Sequence, residues 1–211
     1  MLIGNVKLDW LGHASFKITN KKVIYIDPYN VPPEEKADII LITHSHSDHC
    51  SIEDIKGIVR DGTIIIITPD CQSKLSDIQG IKVHLAKPGK KIGALGIVVE
   101  AVPAYNINKN FHEKSNEWVG YIINIDGKRI YHAGDTDFIP EMKELKEIDV
   151  ALLPVGGKYT MDAKEAAEAA NAIKPKVAVP MHYGSIVGSE EDAKRFKTLC
   201  NCEVEIMEQN Q

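Results

Sequence analysis

Only four cysteines occur in 211 residues, at Cys50, Cys71, Cys200 and Cys202, too few to supply the disulfide framework of a small secreted domain. They are expected to stay reduced. The Cys200-Asn201-Cys202 pair has no second pair with which to hold a metal, and a structural or incidental role is expected for it. Long apolar runs are also missing. The longest, such as "TIIIIT" from Thr63 to Thr68, are strand-sized and fall far short of the roughly 18 residues a membrane span needs. The start, "MLIGNVKLDW", lacks the basic and apolar regions of a signal peptide. No membrane partner and a cytoplasmic location are therefore expected. Excess positive charge is absent as well: the net charge is −5 and the lysines are scattered, which leaves no basic footprint for nucleic-acid backbones.

What is present has globular proportions, with 44% hydrophobic and 26% charged residues, both near the averages of folded domains. A chain this long buries about 70% of its unfolded surface, so one well-packed domain over residues 1–211 is expected. Apolar and β-branched runs bounded by turn residues predict strands near 5–9, 14–19, 23–27, 38–43, 63–68, 81–85, 97–103, 119–125, 129–133, 149–154, 177–181 and 203–207. Capping patterns at Ser51-x-x-Asp54, Asp162-x-x-Glu165 and Ser189-x-x-Asp192 open helices, and a further helix is expected after Pro140 through Met142 and Leu145.

Two segments resemble each other: "FKITNKKVIYIDPY" followed by "ADIILITH", and "YIINIDGKRIYHAGDT" followed by "IDVALLPVGG". Each reads as a hairpin, an acidic residue ending its second strand, and a buried strand beginning after a further Asp. Two similar β-rich halves with helices outside give an α/β sandwich of layers αββα. Between the halves, "YNINKNFHEKSNE" (Tyr105 to Glu117) is a polar loop, and long loops in compact domains are more often functional than idle.

The densest chemistry lies in "THSHSDH", Thr43 to His49, directly after the buried run "DIILI". Residues two apart on an extended chain point the same way, so His44 and His46 can present imidazoles to one ion. Asp48 and His49 lie one turn further and can serve a second. Imidazole nitrogen and carboxylate oxygen suit zinc, and also manganese or iron. An isolated His such as His84 is best read as a surface residue; four ligand-type residues in six positions at a strand end are not. His182 in "PMHYG" lies between a buried strand and a glycine turn, an edge where loops gather.

"THSHSDH" matches the His-x-His-x-Asp-His signature of the metallo-β-lactamase superfamily. With "WLGHASF", "IDPY", "YHAGDTD", "DVALLPVGG" and "PKVAVPMHYG" in the same order, the chain resembles the superfamily's metal-dependent hydrolases close to L-ascorbate-6-phosphate lactonase. The resemblance implies the αββα sandwich, with His44 and His46 ligating a first metal, Asp48 and His49 a second, Asp135 bridging both, and His182 completing the second site. Relatives place a third first-site His after the strand corresponding to residues 97–103, where this chain reads "PAYNINKNFH". Asn106 holds the simplest aligned position, and asparagine is a poor zinc ligand. His112 fills the role if the loop folds back; otherwise two His, the bridging Asp and solvent make the site. The resemblance also suggests that Asp27 orients a ligating imidazole, against a plain strand-end turn before Pro28. His13 is expected to line the site, His132 to be structural, and Tyr183, Lys158 and Tyr159 to contact substrate or simply sit on the surface.

Two divalent ions, zinc first with manganese or iron as alternatives, would lower the pKa of a bridging water from 15.7 to about 7. The resulting hydroxide would attack an ester, lactone or phosphodiester of a small molecule, with Asp48 orienting it or relaying its proton. The alternatives are a nuclease of the tRNA 3′-processing type, for which no gripping-arm insertion is visible, and a non-catalytic metal-binding sensor. Association into a homo-oligomer is common for this fold.

Overall fold

In the computed structural model, which describes residues 1–33 and 35–210, the isoleucine runs explain the layering. Side chains alternate across a strand, and here both faces are covered. Ile39, Leu41, Ile64 and Ile66 enter the core between two sheets, while Ile40, Ile42, Ile65 and Ile67 join a second cluster with Ile55 and Ile58 of an outer helix. Strands buried on both faces read as continuous apolar runs rather than alternating ones.

The first sheet contains β1 (Leu2–Ile3), β2 (Val6–Gly12), β3 (Ser15–Thr19), β4 (Val23–Ile26), β5 (Ile39–Leu41), β6 (Ile64–Ile67) and β7 (Lys82–Leu85), side by side in chain order. The second contains β8 (Lys91–Ala94), β9 (Ile97–Pro103), β10 (Val119–Ile125), β11 (Lys128–His132), β12 (Val150–Pro154), β13 (Val177–Met181) and β14 (Glu203–Val204), also in order. In each, the first four strands pair antiparallel and the last four parallel. The α-helices are α1 (Ile52–Ile58), α2 (Ala163–Ile173) and α3 (Glu190–Leu199). The result is the α/β sandwich that the sequence predicts.

The internal repeat extends to single hydrogen bonds. Asp38, before β5, accepts the Val23 N–H at the start of β4 at 2.9 Å; Asp149, before β12, accepts the Arg129 N–H near the start of β11 at 2.8 Å. Burial would raise both carboxyl pKa values, but Val23 N–H, Arg60 and Lys22 hold Asp38 below its ordinary range, and Lys176 with Arg129 N–H does the same for Asp149. A lowered folded pKa contributes stability above the unfolded value, near 3.9, that is lost as pH falls through the folded one. Asp38→Asn and Asp149→Asn should each cost about 1 kcal/mol at pH 7. Urea titrations should show that difference shrinking as pH falls below about 4.

Three local expectations are corrected. The segment after Pro140 is a short 3-10 helix, Pro140–Glu144, rather than an α-helix, and the chain turns extended at Leu145. β8 was not expected, because its four residues offer only Ile92 and Ala94 to the core. Ser51 caps α1 through the Asp54 N–H, but the Asp54 carboxylate turns away to accept the N–H groups of Asn30 and Val31. The capping box of α2 is complete. No helix among the described residues is long and apolar enough to cross a membrane.

Candidate metal centre

The parallel strands of both sheets deliver their C-terminal ends to one edge, where α/β sheets bind ligands. Asp27 follows β4, "THSHSDH" follows β5, Asp135 follows β11 and His182 follows β13. Their side chains converge. His44, His46 and His112 each offer one donor atom within 4.8 Å of the others; His13, Asp48, His49 and His182 form a second such group, and His44, His49 and Asp135 a third. Asp135 Oδ2 lies 3.1 Å from His112 Nε2, 3.2 Å from His182 Nε2 and 3.9 Å from His44 Nε2. Its Oδ1 lies 3.3 Å from His49 Nε2.

The loop folds back. Asn106 N–H donates to His112 O at 2.8 Å and Ile107 N–H to Asp137 Oδ2 at 2.8 Å, while Lys109 pairs with Asp137. That clasp closes the turn between residues 106 and 112 and brings His112 under the site in a left-handed conformation, φ 55°. Asn106 supports it instead of replacing it: its amide contacts His112 Nδ1 at 3.2 Å and donates to Tyr159 O at 2.7 Å.

Outer partners assign the imidazole tautomers. Thr43 Oγ1 donates to Asp27 Oδ2 at 2.6 Å, so it accepts from His44 Nδ1 at 3.0 Å and leaves Nε2 unprotonated, 3.0 Å from His46 Nδ1. Asp27 Oδ2 also accepts from His49 Nδ1 at 2.7 Å. His112 Nδ1 lies 3.2 Å from both Tyr159 O and the Asn106 amide nitrogen. A ring nitrogen fixed in this way presents the other to a ligand. His49 Nε2, His112 Nε2, His182 Nε2 and Asp135 Oδ1 are buried without a hydrogen-bond partner. Unsatisfied buried atoms cost about 1–3 kcal/mol each, and a cation among them relieves that cost. The residues present fit metal.

Electrostatics without an ion point the same way. Burial would raise the Asp135 carboxyl, yet the imidazoles of His182 and His49 and the close approach of His112 hold it well below the usual range. Burial and then the His49 charge push His44 well below an ordinary imidazole. His49 is pulled down by burial, but the carboxylates of Asp135 and Asp27 outweigh it and raise the ring well above its normal value.

His13 does more than line the site: its Nε2 meets Asp48 Oδ2 at 3.0 Å and its ring lies 3.9 Å from His182. Both His13 and His182 adopt left-handed backbone, φ 50° and 60°, joined by a His182 N–H to His13 O bond of 2.9 Å. Non-glycine residues in that region are uncommon and cluster at functional sites. His132 is structural, its Nε2 bonded to Ala14 O at 2.8 Å, and His84 lies exposed on β7. Tyr183 faces elsewhere: it stacks on Trp10 at 5.0 Å and lines a neighbouring cleft of about 460 Å³, because the chain turns away after His182. Lys158 lies over the Tyr159 ring, 4.9 Å from its centroid. The sequence reading missed Trp118, whose ring packs 4.7 Å from His44 and 4.9 Å from His46 and is held by Asp70 through Nε1 at 2.8 Å. Its rarity, one of two tryptophans, was the only available signal.

Residues 7–182 match the profile of the β-lactamase superfamily domain. The chain belongs to the metallo-β-lactamase superfamily. Within it, the chain is 38% identical over 206 residues to a metal-dependent hydrolase of Thermoplasma acidophilum, covering 92% of this chain and 91% of the relative. It is 37% identical over 218 residues to one of Thermococcus kodakarensis, covering 96% and 95%. A solved structure from Parabacteroides distasonis superposes with a TM-score of 0.85 at 35% identity, over 98% of this chain and 94% of that one. The metallo hydrolase Igni18 of Ignicoccus hospitalis gives 0.78 at 29%, over 98% and 96%. The superfamily signature falls on the edge where the donors converge.

Proposed function

We propose that the chain is a metal-dependent hydrolase whose centre takes two divalent cations, zinc first, with manganese or iron as alternatives. His44, His46 and His112 would hold one, Asp48, His49 and His182 would hold the other, and Asp135 lies between the two groups of donors. The observation that carries this reading is the convergence of unpartnered buried donors from both groups on the Asp135 carboxylate. Bound there, the cations would lower the pKa of a coordinated water to about 7 and polarise the scissile carbonyl or phosphoryl oxygen.

The chain's own groups do the rest. Asp48, with 21% of its side chain exposed, presents an oxygen that orients the attacking water or relays its proton. His13 holds that carboxylate through Nε2. Trp118 packs its ring against His44 and His46, fixing their place at the rim of the site. A cleft of about 340 Å³ opens above Asp48, Asp135 and His182, near the lower end for ligand pockets and sized for a small molecule bearing an ester, lactone or phosphodiester.

The test is metal content together with turnover. Protein saturated in turn with zinc, manganese and iron should retain two ions per chain by elemental analysis and hydrolyse at least one of these substrate classes. His112→Ala should keep one. A folded wild-type sample that never holds more than one ion overturns the two-cation centre.

A further inference from the structure

We propose that the substrate is an uncharged carboxylic ester or lactone carrying an apolar substituent, an aryl ring or a short alkyl chain, seated against Tyr29, Phe111, Tyr159 and Ile186. This rests on the hydrolase reading above and specifies what it hydrolyses. Four loops build the cleft wall: Tyr29 follows β4, Phe111 comes from the loop before β10, Tyr159 from the β12–α2 connection and Ile186 from the β13–α3 connection. Phe111 and Ile186 are 45% and 48% exposed. Water contact of large apolar side chains carries a cost that an apolar ligand removes. Phe111 meets Tyr159 edge to face, with centroids 5.0 Å apart and planes at 89°, a geometry favoured between rings. The floor is polar and the wall apolar, the usual division of labour in a small-molecule site.

Charge points the same way. Among the described residues, none of those lining this cleft is a lysine or arginine. Of the nearby lysines, Lys109 pairs with Asp137 and Glu165 and Lys74 donates to Ser45 O, while the exposed Lys158 lies over the Tyr159 ring, 4.9 Å from its centroid. Cations at the centre would answer charge at the reacting group only. A phosphate or carboxylate on the substituent would sit among apolar side chains with no lysine or arginine in the lining, and such desolvation is penalised. A phosphorylated lactone does not suit this wall. The reaction is balanced with water alone: its oxygen bonds to the acyl carbon, the acyl C–O bond breaks, the leaving alkoxide takes one of the water's protons, and the other is released to solvent, giving a carboxylate and an alcohol.

The experiment uses the full metal-loaded chain with 4-nitrophenyl acetate, butyrate and hexanoate, the anionic hemisuccinate ester, and bis(4-nitrophenyl) phosphate. The kcat/KM should rise about fourfold per added methylene and drop at least about tenfold from butyrate to hemisuccinate. In the Phe111→Ser, Ile186→Ser double variant the rise should shrink to less than about twofold per methylene. Calorimetry gives a readout independent of turnover: hexanamide should bind at least about tenfold more tightly than acetamide, and the double variant should lose that preference. A flat chain-length profile, a preference for the hemisuccinate or the phosphodiester, or a wild-type profile in the double variant overturns the assignment while leaving a hydrolase. A two-ion protein that turns over none of the five substrates overturns the hydrolase reading and this inference with it.

Discussion

Asp135→Ala is expected to leave a folded chain that retains neither cation at stoichiometry and loses at least about a thousandfold in kcat/KM, about 4 kcal/mol. The reason is position. Its two oxygens reach His44, His112 and His182 on one side and His49 on the other, so one substitution removes the anion shared by both groups of donors. Without it the four imidazoles face one another with only Asp27 and Asp48 to balance charge. Asp135→Asn tests the charge alone, since the amide keeps the shape; it should restore folding stability before it restores metal. Elemental analysis and turnover decide the matter. Two retained ions with activity within tenfold of wild type would show that Asp135 is not the shared ligand.

The second large effect is predicted at Asp27, which touches no donor cluster directly except through His49. Its buried carboxylate accepts from Thr43 N at 2.8 Å, Thr43 Oγ1 at 2.6 Å and His49 Nδ1 at 2.7 Å, and its own backbone is left-handed at φ 44°. Asp27→Ala strands all three donors. Breaking a fully buried pair costs about 3–5 kcal/mol, a large share of the roughly 5–15 kcal/mol that holds a domain folded. Loss of the group behind a ligating imidazole also weakens metal binding by about 10–100-fold. Urea unfolding of the metal-free protein should show the effect of pH. His49 has a folded pKa raised above its unfolded value near 6.5, so the ion-pair contribution is complete below that value and fades as pH climbs through the folded one. The gap between wild type and Asp27→Ala should therefore narrow toward alkaline pH. A gap that widens would contradict the ion pair.

What the sequence made legible was local. "THSHSDH" declares itself because its four donors occupy neighbouring positions on one strand end, and the doubled hairpins expose the two-sheet plan because buried strands carry long apolar runs. The choice between Asn106 and His112 was not legible, because it depends on the clasp of Asp137 with Ile107 and Lys109, a tertiary contact spanning about thirty residues of chain. Trp118 escaped for a similar reason: nothing in its neighbours foretells that Asp70, 48 residues away, will hold its indole against His44. Tyr183 follows His182 directly, yet the left-handed turn at His182 sends the two side chains into different clefts. The helix expected after Pro140 failed locally, its apolar residues Met142 and Leu145 giving only one turn to bury.

The paired left-handed histidines, His13 and His182, lie on the seam between two halves that each bring only part of the donor set. His44, His46, Asp48 and His49 come from one half, and His112, Asp135 and His182 from the other. Such a centre cannot assemble until distant parts of the chain have met, a late event in folding. Any cation that it binds then works as a rivet across that seam. At a hundred times its dissociation constant, a cation adds about 2.7 kcal/mol against opening, roughly a hundredfold fewer open molecules for a protease to cut.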